Sequence, residues 1–332
     1  MSRLARLLPG LLAALAAFAV VVPHIDARDR QTDDEGAVLL EQARVAALEG
    51  DYAGTVQVEW QTPAGTQTAR VHVRNADGVL YVDGERDLVA ADSRRYVEGA
   101  GGWALAYGTA GVGELPDPTD NWDFRVVRGP RVAEVPTRVV EIIDRDTDEV
   151  RQRVYMEPGS FVVRREILDE DGDPYRVVEF VNFTAAGTAP SVPDDYDENE
   201  PDEASELPGG VPEEVGDGFE LVNAYELDNG VTQLFYSDGL FVVSVFLDEG
   251  ELDTGGLPSG ATIREIAGEE VRAYATPTGD VLVWEDDDDR VIAWVSDAPP
   301  DEMVGVAASF TDDDPSFWAR AADVVLGPFS WR

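Results

Sequence analysis

Cysteine is absent from this 332-residue chain, and so is lysine: all 25 basic residues are arginine. Without cysteine there is no disulfide, no thiolate metal site, no thiol nucleophile and no bacterial lipoprotein anchor. Without lysine there is neither a Schiff-base residue nor the lysine of a phosphate-binding P-loop. Only two histidines are present. His24 lies in the N-terminal segment, and His72 alternates with Arg70 and Arg74 on the polar side of a strand pattern. A Ser-His-Asp triad would have to use His72, no Gly-x-Ser-x-Gly elbow accompanies it, and a zinc site would lack ligands. Positive charge is scarce as well. With 67 acidic residues the net charge is −42, which repels nucleic acid. Such acidity fits a salt-rich medium, where the Debye length falls to roughly 3 Å; a patch for a basic partner is the other reading.

What remains is a β-rich, exported chain. Its hydrophobic content of 44% is that of a folded protein, and its length suits two domains. Arg3 and Arg6 precede an apolar run from Leu7 to Val22, broken only by Pro9 and Gly10. The run is short for a spanning helix, so residues 1–28 read as a cleaved signal peptide or an uncleaved anchor. Either way the remainder lies outside the cytoplasm.

Asp33 and Asp34 can cap a helix over residues 35–49, with Leu39, Leu40, Ala43, Ala46 and Ala47 on one face and Gly50 as its stop. Strand patterns follow at 55–60, 68–74, 79–82, 138–143, 150–156, 161–168 and 175–183, separated by Asn75-Ala-Asp-Gly78, Glu157-Pro-Gly159 and Asp171-Gly-Asp-Pro174. Residues 99–121 are rich in Gly and Pro and read as a loop carrying Trp103 and Tyr107. Residues 186–210 hold eight acids and no base among four prolines, which predicts an extended linker. A smaller β domain, 211–332, then shows strands at 219–227, 232–236, 240–248, 271–276, 281–285 and 290–296. Asp314 and Pro315 introduce a closing helix over 316–326. The acidic run Asp286–Asp289 is the tip of a hairpin and lacks the spacing of a calcium loop.

The expected fold class is mainly β (α+β), and the expected activity is binding without a cofactor. A carboxylate-based hydrolase is the enzymatic alternative, but no acid pair stands out. A curved antiparallel sheet crossed by a helix encloses an apolar groove that suits acyl chains or extended peptides. Val56, Val58, Trp60, Val71 and Val73, with Trp103, are the groove candidates; the same residues would equally serve as core beneath the helix.

Tyr236-Ser-Asp-Gly-Leu240, running into Phe241-Val-Val-Ser-Val-Phe246, resembles the C-terminal domain of the RseB/MucB family. Residues 51–55, 131–136, 139–142, 154–156, 161–165 and 176–180 are similar to the family's N-terminal strands, which LolA-type lipoprotein carriers share. The resemblance implies a LolA-like curved half-barrel with a packed helix over 33–185. Beyond the linker it implies the smaller antiparallel domain with a C-terminal helix. It also implies that the chain binds the extracytoplasmic domain of a membrane-spanning anti-sigma factor, shielding it from regulated proteolysis and restraining the envelope stress response. A lipidic ligand in the N-terminal groove would release that partner. Tyr236, Ser237, Asp238, Gly239 and Leu240 belong, by position, to the partner-binding domain. A lipid or lipoprotein carrier is the alternative, needing only the first domain.

Overall fold

The computed structural model of the chain describes residues 35–83, 88–91, 94–99, 102–105, 121–186, 196–197, 202–203, 211–216, 218–226, 230–252, 254, 257, 260–266, 269–277, 279–285 and 290–308. The export segment, the Asp33–Asp34 cap, the Asp286–Asp289 tip and the closing helix over 316–326 lie outside these residues. No helix among the described residues is long and apolar enough to cross a membrane. The chain divides into two compact units between Glu198 and Asn199.

The N-terminal module begins with helix α1 (Glu35–Glu49), which buries Leu39, Leu40 and Ala43 of the expected face, together with Ala37, while Ala46 and Ala47 are half-buried. Its strands are β1 (Tyr52–Trp60), β2 (Gln67–Ala76), β3 (Val79–Asp83), β4 (Leu88–Ala91), β5 (Arg94–Gly99), β6 (Gly102–Leu105), β7 (Trp122–Val132), β8 (Val135–Asp144), β9 (Val150–Met156), β10 (Val162–Leu168), β11 (Pro174–Thr184) and β12 (Tyr196–Asp197). They form one sheet in the order β12-β6-β5-β4-β3-β2-β1-β11-β10-β9-β8-β7, antiparallel except for the β12–β6 pair. The β2–β3 hairpin turns on Asp77 and Gly78, both at positive φ (54° and 74°), as the Asn-Ala-Asp-Gly signal predicts.

Two observations define the shape of this sheet. Glu35, in the first turn of α1, pairs with Arg138 of β8 at 2.9 Å. At the other end, the carbonyls of Ala47 in the last turn and of Gly50 just after it accept hydrogen bonds from Asn75 Nδ2 of β2 at 3.3 and 2.7 Å. The two strands are five spacings apart, about 24 Å if flat, and a helix of this length measures about 22 Å. Helix α1 therefore lies across the strands. In addition, β7 and β11 approach within 8 Å between Cα atoms although four places apart; a flat sheet would hold them about 19 Å apart. The sheet is strongly curved, with α1 on its inner face.

The outer face carries a ladder of charge. Arg125 of β7 pairs with Glu141 of β8 at 2.8 Å, Glu141 with Arg153 of β9 at 3.4 Å, and Arg153 with Glu166 of β10 at 3.4 Å. Arg164 then bridges Glu166 at 2.6 Å to Glu179 of β11 at 2.5 Å. Tyr155 donates its hydroxyl to Glu166 at 2.9 Å, and burial, reinforced by that carboxylate, pushes the phenol up to about 12. A planar fork that grips two carboxylates at once is an arginine property that lysine lacks.

The C-terminal module contains β13 (Asp202–Glu203), β14 (Glu214–Val215), β15 (Phe219–Glu226), β16 (Thr232–Ser237), β17 (Val242–Glu249), β18 (Thr262–Ile266), β19 (Glu269–Ala275), β20 (Asp280–Glu285), β21 (Arg290–Ser296) and helix α2 (Pro300–Ala308). The sheet runs β13-β15-β16-β17-β21-β20-β19-β18, with β14 paired to β15. Trp294, Tyr236, Phe219, Phe235, Phe241 and Phe246 are its largest fully buried apolar side chains. Each contributes about 2–3 kcal/mol of burial. Trp284 meets Trp294 edge to face at 4.9 Å.

Two expectations need correction, and one element was not foreseen. Residues 99–121 are not all loop, because Gly102–Leu105 is strand β6 and pairs with β5. The segment 186–210 is not all linker: Tyr196–Asp197 joins β6 and Asp202–Glu203 joins β15. A helix at 300–308 that the sequence reading did not foresee follows the last strand; Met303, Val306 and Ala307 form its buried stripe.

Candidate functional site

The inner face of the N-terminal sheet collects most of the expected groove residues. Val56, Val58 and Val73 are buried, while Trp60 and Val71 are partly buried against the same cluster. The register continues this face across the sheet: Val58 opposes Val178, which opposes Arg165, which opposes Val154. One row further on, Trp60 opposes Arg176, then come Ile167, Gln152 and Ile142. Trp103 sits on β6, and its side chain lies outside the described ones.

The face therefore has two ends of different chemistry. At one, Tyr52, Phe161, Phe180 and Phe183 pack ring on ring, with centroids 5.2–6.2 Å apart. Gly54 belongs here because a Cβ would strike the Asn182 carbonyl and the Phe180 ring. Helix α1 ends over this region, through Tyr52 and Asn75.

The other end is rich in donors. Arg165 and Arg176 are buried on the inner face, and Arg165 Nε donates to Gln152 Oε1 at 2.9 Å. Gln152 is fully buried, yet its Nε2 has no hydrogen-bond partner, and neither has the indole N–H of Trp60. Two guanidinium groups with two open N–H donors suit an acceptor-bearing, negatively charged group. Sequence reasoning passed over these residues. The signal was Arg164-Arg165 inside a strand, where alternation sends one arginine out to the charge ladder and the next inward.

The C-terminal motif occupies the exit from β16. Ser237 Oγ donates to the Phe241 carbonyl at 2.9 Å and accepts from Gly239 N–H at 3.0 Å. Asp238 Oδ1 accepts from the amides of Leu240 and Phe241 at 2.8 and 2.6 Å. Gly239 takes a φ of 88°, a conformation that favours glycine. The Tyr236 hydroxyl donates to the Pro212 carbonyl at 2.9 Å. Burial raises the Asp238 carboxyl to about 8; its amide hydrogen bonds oppose the shift, and the Glu302 and Asp297 carboxylates add to it. Tyr236, Ser237, Asp238, Gly239 and Leu240 are all buried, so any partner contact here passes through the surface they support.

His72 is exposed on the outer side of β2, with Nδ1 3.0 Å from Thr55 Oγ1. No group of three potential metal ligands gathers among the described residues.

No protein-family model and no curated protein matches the sequence. Solved structures do. The crystal structure of MucB is 19% identical, covering 84% of this chain and 98% of that one with a TM-score of 0.52. The fold is that of MucB. MucB in complex with MucA(peri) is similar over 82% of this chain and 97% of its own, at 19% identity and a TM-score of 0.51. The MucA/MucB complex from Pseudomonas aeruginosa covers 81% and 96%, at 19% identity and a TM-score of 0.48. The MucB likeness spans both modules, as the sequence resemblance at Tyr236–Phe246 implied.

Proposed function

We propose that this chain is an extracytoplasmic regulator that binds the exterior domain of a membrane-spanning anti-sigma factor and restrains the envelope stress response. The observation that carries the reading is the MucB fold over 84% of the chain, including the second module that a simple carrier would not need. MucB has itself been crystallised with MucA(peri). The protein is a binding protein and not an enzyme, exported by its N-terminal segment. The ligand that modulates it is a lipid with an acidic head. Its acyl part lies along the apolar inner face, and its head meets Arg165, Arg176, Gln152 and Trp60.

The test is capture of an anti-sigma factor's purified exterior domain by the full chain, compared with a chain ending at Glu198. The full chain is expected to retain the partner and the shortened one to lose it. Absence of binding by the full chain overturns the reading. Equal binding by both would move the contact to the first module.

A further inference from the structure

A sheet that ends in an open strand offers a row of backbone donors and acceptors, and proteins guard such ends with prolines, bulges or very short strands. Among the described residues, three of the four sheet ends are guarded in this way. Strands β12 and β13 are two residues each. Strand β7 carries Pro130, slips register between Arg128 and Arg131, and approaches β11. Strand β18 is different. It ends the C-terminal sheet, runs five residues, pairs with β19 without a register shift and contains no proline. No strand among the described residues lies on its other side.

Its side chains favour company as well. Ile263 is 49% exposed, and it is the one exposed large apolar side chain of the C-terminal module among the described residues. Glu265, two residues on, shares its face of the sheet. Across the strand pair Glu265 directly opposes Glu270, an unfavourable placement of like charges. Arg272 pairs with Glu270 at 3.1 Å, whereas no cation among the described residues pairs with Glu265. The two carboxylates are therefore one cation short. A segment laid along the free edge would bring one side chain beside Ile263 and another beside Glu265, on the same face.

We propose that β18 receives an extended segment of the partner's exterior domain as a further strand, with an apolar residue beside Ile263 and a basic residue beside Glu265. The inference rests on the anti-sigma reading above and names where, and by what chemistry, that partner is held. Main-chain hydrogen bonds supply the attachment, and the two side chains fix its register. Net charge selects the occupant. At −42 a second copy of this chain is repelled, whereas a basic segment is drawn in. Five residues of strand span about 17 Å, so a short segment suffices.

The test titrates the full chain with an anti-sigma factor's purified exterior domain and follows amide hydrogen exchange at residues 262–266. Binding should slow exchange of the outward-facing β18 amides at least about tenfold. Ile263→Lys should weaken binding roughly tenfold. Glu265→Arg should weaken it similarly, yet raise the urea midpoint, because it relieves the opposition to Glu270. Val181→Lys alters the exposed apolar side chain of β11 in the first module and should bind as the natural chain does. No binding by the natural chain overturns the anti-sigma reading and this inference together. Binding without protection at β18, or equal weakening by Val181→Lys, overturns the inference alone. So does a dimer of the chain that Ile263→Lys dissociates, since the edge would then belong to a second copy.

Discussion

Ser237 and Ser296 grip neighbouring carbonyls at the start of the same strand: one donates to Phe241 O at 2.9 Å, the other to Val242 O at 2.8 Å. Each also accepts an amide two residues ahead, from Gly239 and Ala298, both at 3.0 Å. The two strand exits are thus built alike, and both serines are fully buried. Replacing either by alanine orphans a carbonyl and an amide where water does not reach. Each change should cost about 2 kcal/mol. Because the carbonyls are adjacent, the double substitution should fall short of the sum by at least about 0.5 kcal/mol. Urea denaturation of the four proteins measures this; strict additivity would mean that the exits are independent.

Tyr236 anchors the chain entering the module, because its hydroxyl reaches the Pro212 carbonyl. Burial raises this phenol well beyond its usual range, so the bond persists at alkaline pH. Tyr236→Phe should cost about 1 kcal/mol. Limited proteolysis should show faster cleavage around residues 211–216, with the sheet core unaffected. Cleavage at the natural rate would mean that the strand pairing of β14 alone secures this segment.

Most of this architecture is legible in the sequence where local signals and tertiary packing agree. Helix α1 is one case: its apolar period, its stop at Gly50 and its observed bounds coincide. The Asp77-Gly78 turn is another, since its residues suit the left-handed backbone they adopt. Strand β7 was missed for the opposite reason. Its hairpin with β8 turns on Ala133 and Glu134, at φ of 47° and 64°, and neither residue announces a turn. Strands β4 to β6 are short and sit among glycines, so pairing with neighbours, and not propensity, makes them strands. At the candidate site the apolar face was readable from alternation at Val56, Val58 and Trp60. The inward arginines were not, because arginine in a half-exposed strand ordinarily points to water.

The Ala133-Glu134 turn is therefore a place where stability is left unused. Substituting Asn-Gly for this pair supplies residues that accept positive φ at both positions. The double variant should gain about 1 kcal/mol in urea denaturation of the N-terminal module. A loss would mean that the packing of Ala133, partly buried against the core, outweighs the backbone strain.

Glu166 is the crossing point of the outer ladder, taking Arg153, Arg164 and Tyr155 at once while itself buried. Glu166→Gln preserves the shape but leaves two guanidinium groups short of a counter-charge. Both arginines keep a second carboxylate, Glu141 and Glu179, and both are partly exposed, which limits the damage. A loss of about 2 kcal/mol is expected. It should shrink in 1 M salt, and a loss independent of salt would assign the effect to packing instead.

Trp60 separates a ligand site from ordinary core. Its indole N–H has no partner in the folded protein. Trp60→Phe removes a buried donor whose desolvation is already a cost, so the loss of stability should stay under about 1 kcal/mol despite the smaller ring. If the donor-rich end holds an acidic head group, the same substitution should weaken binding of dodecanoate severalfold. Binding of dodecanol, which offers the chain without the charge, should change little. Isothermal titration with the two probes reads the difference. Equal weakening for both would make Trp60 a contact for the acyl chain, and the arginines beneath it would then need another explanation.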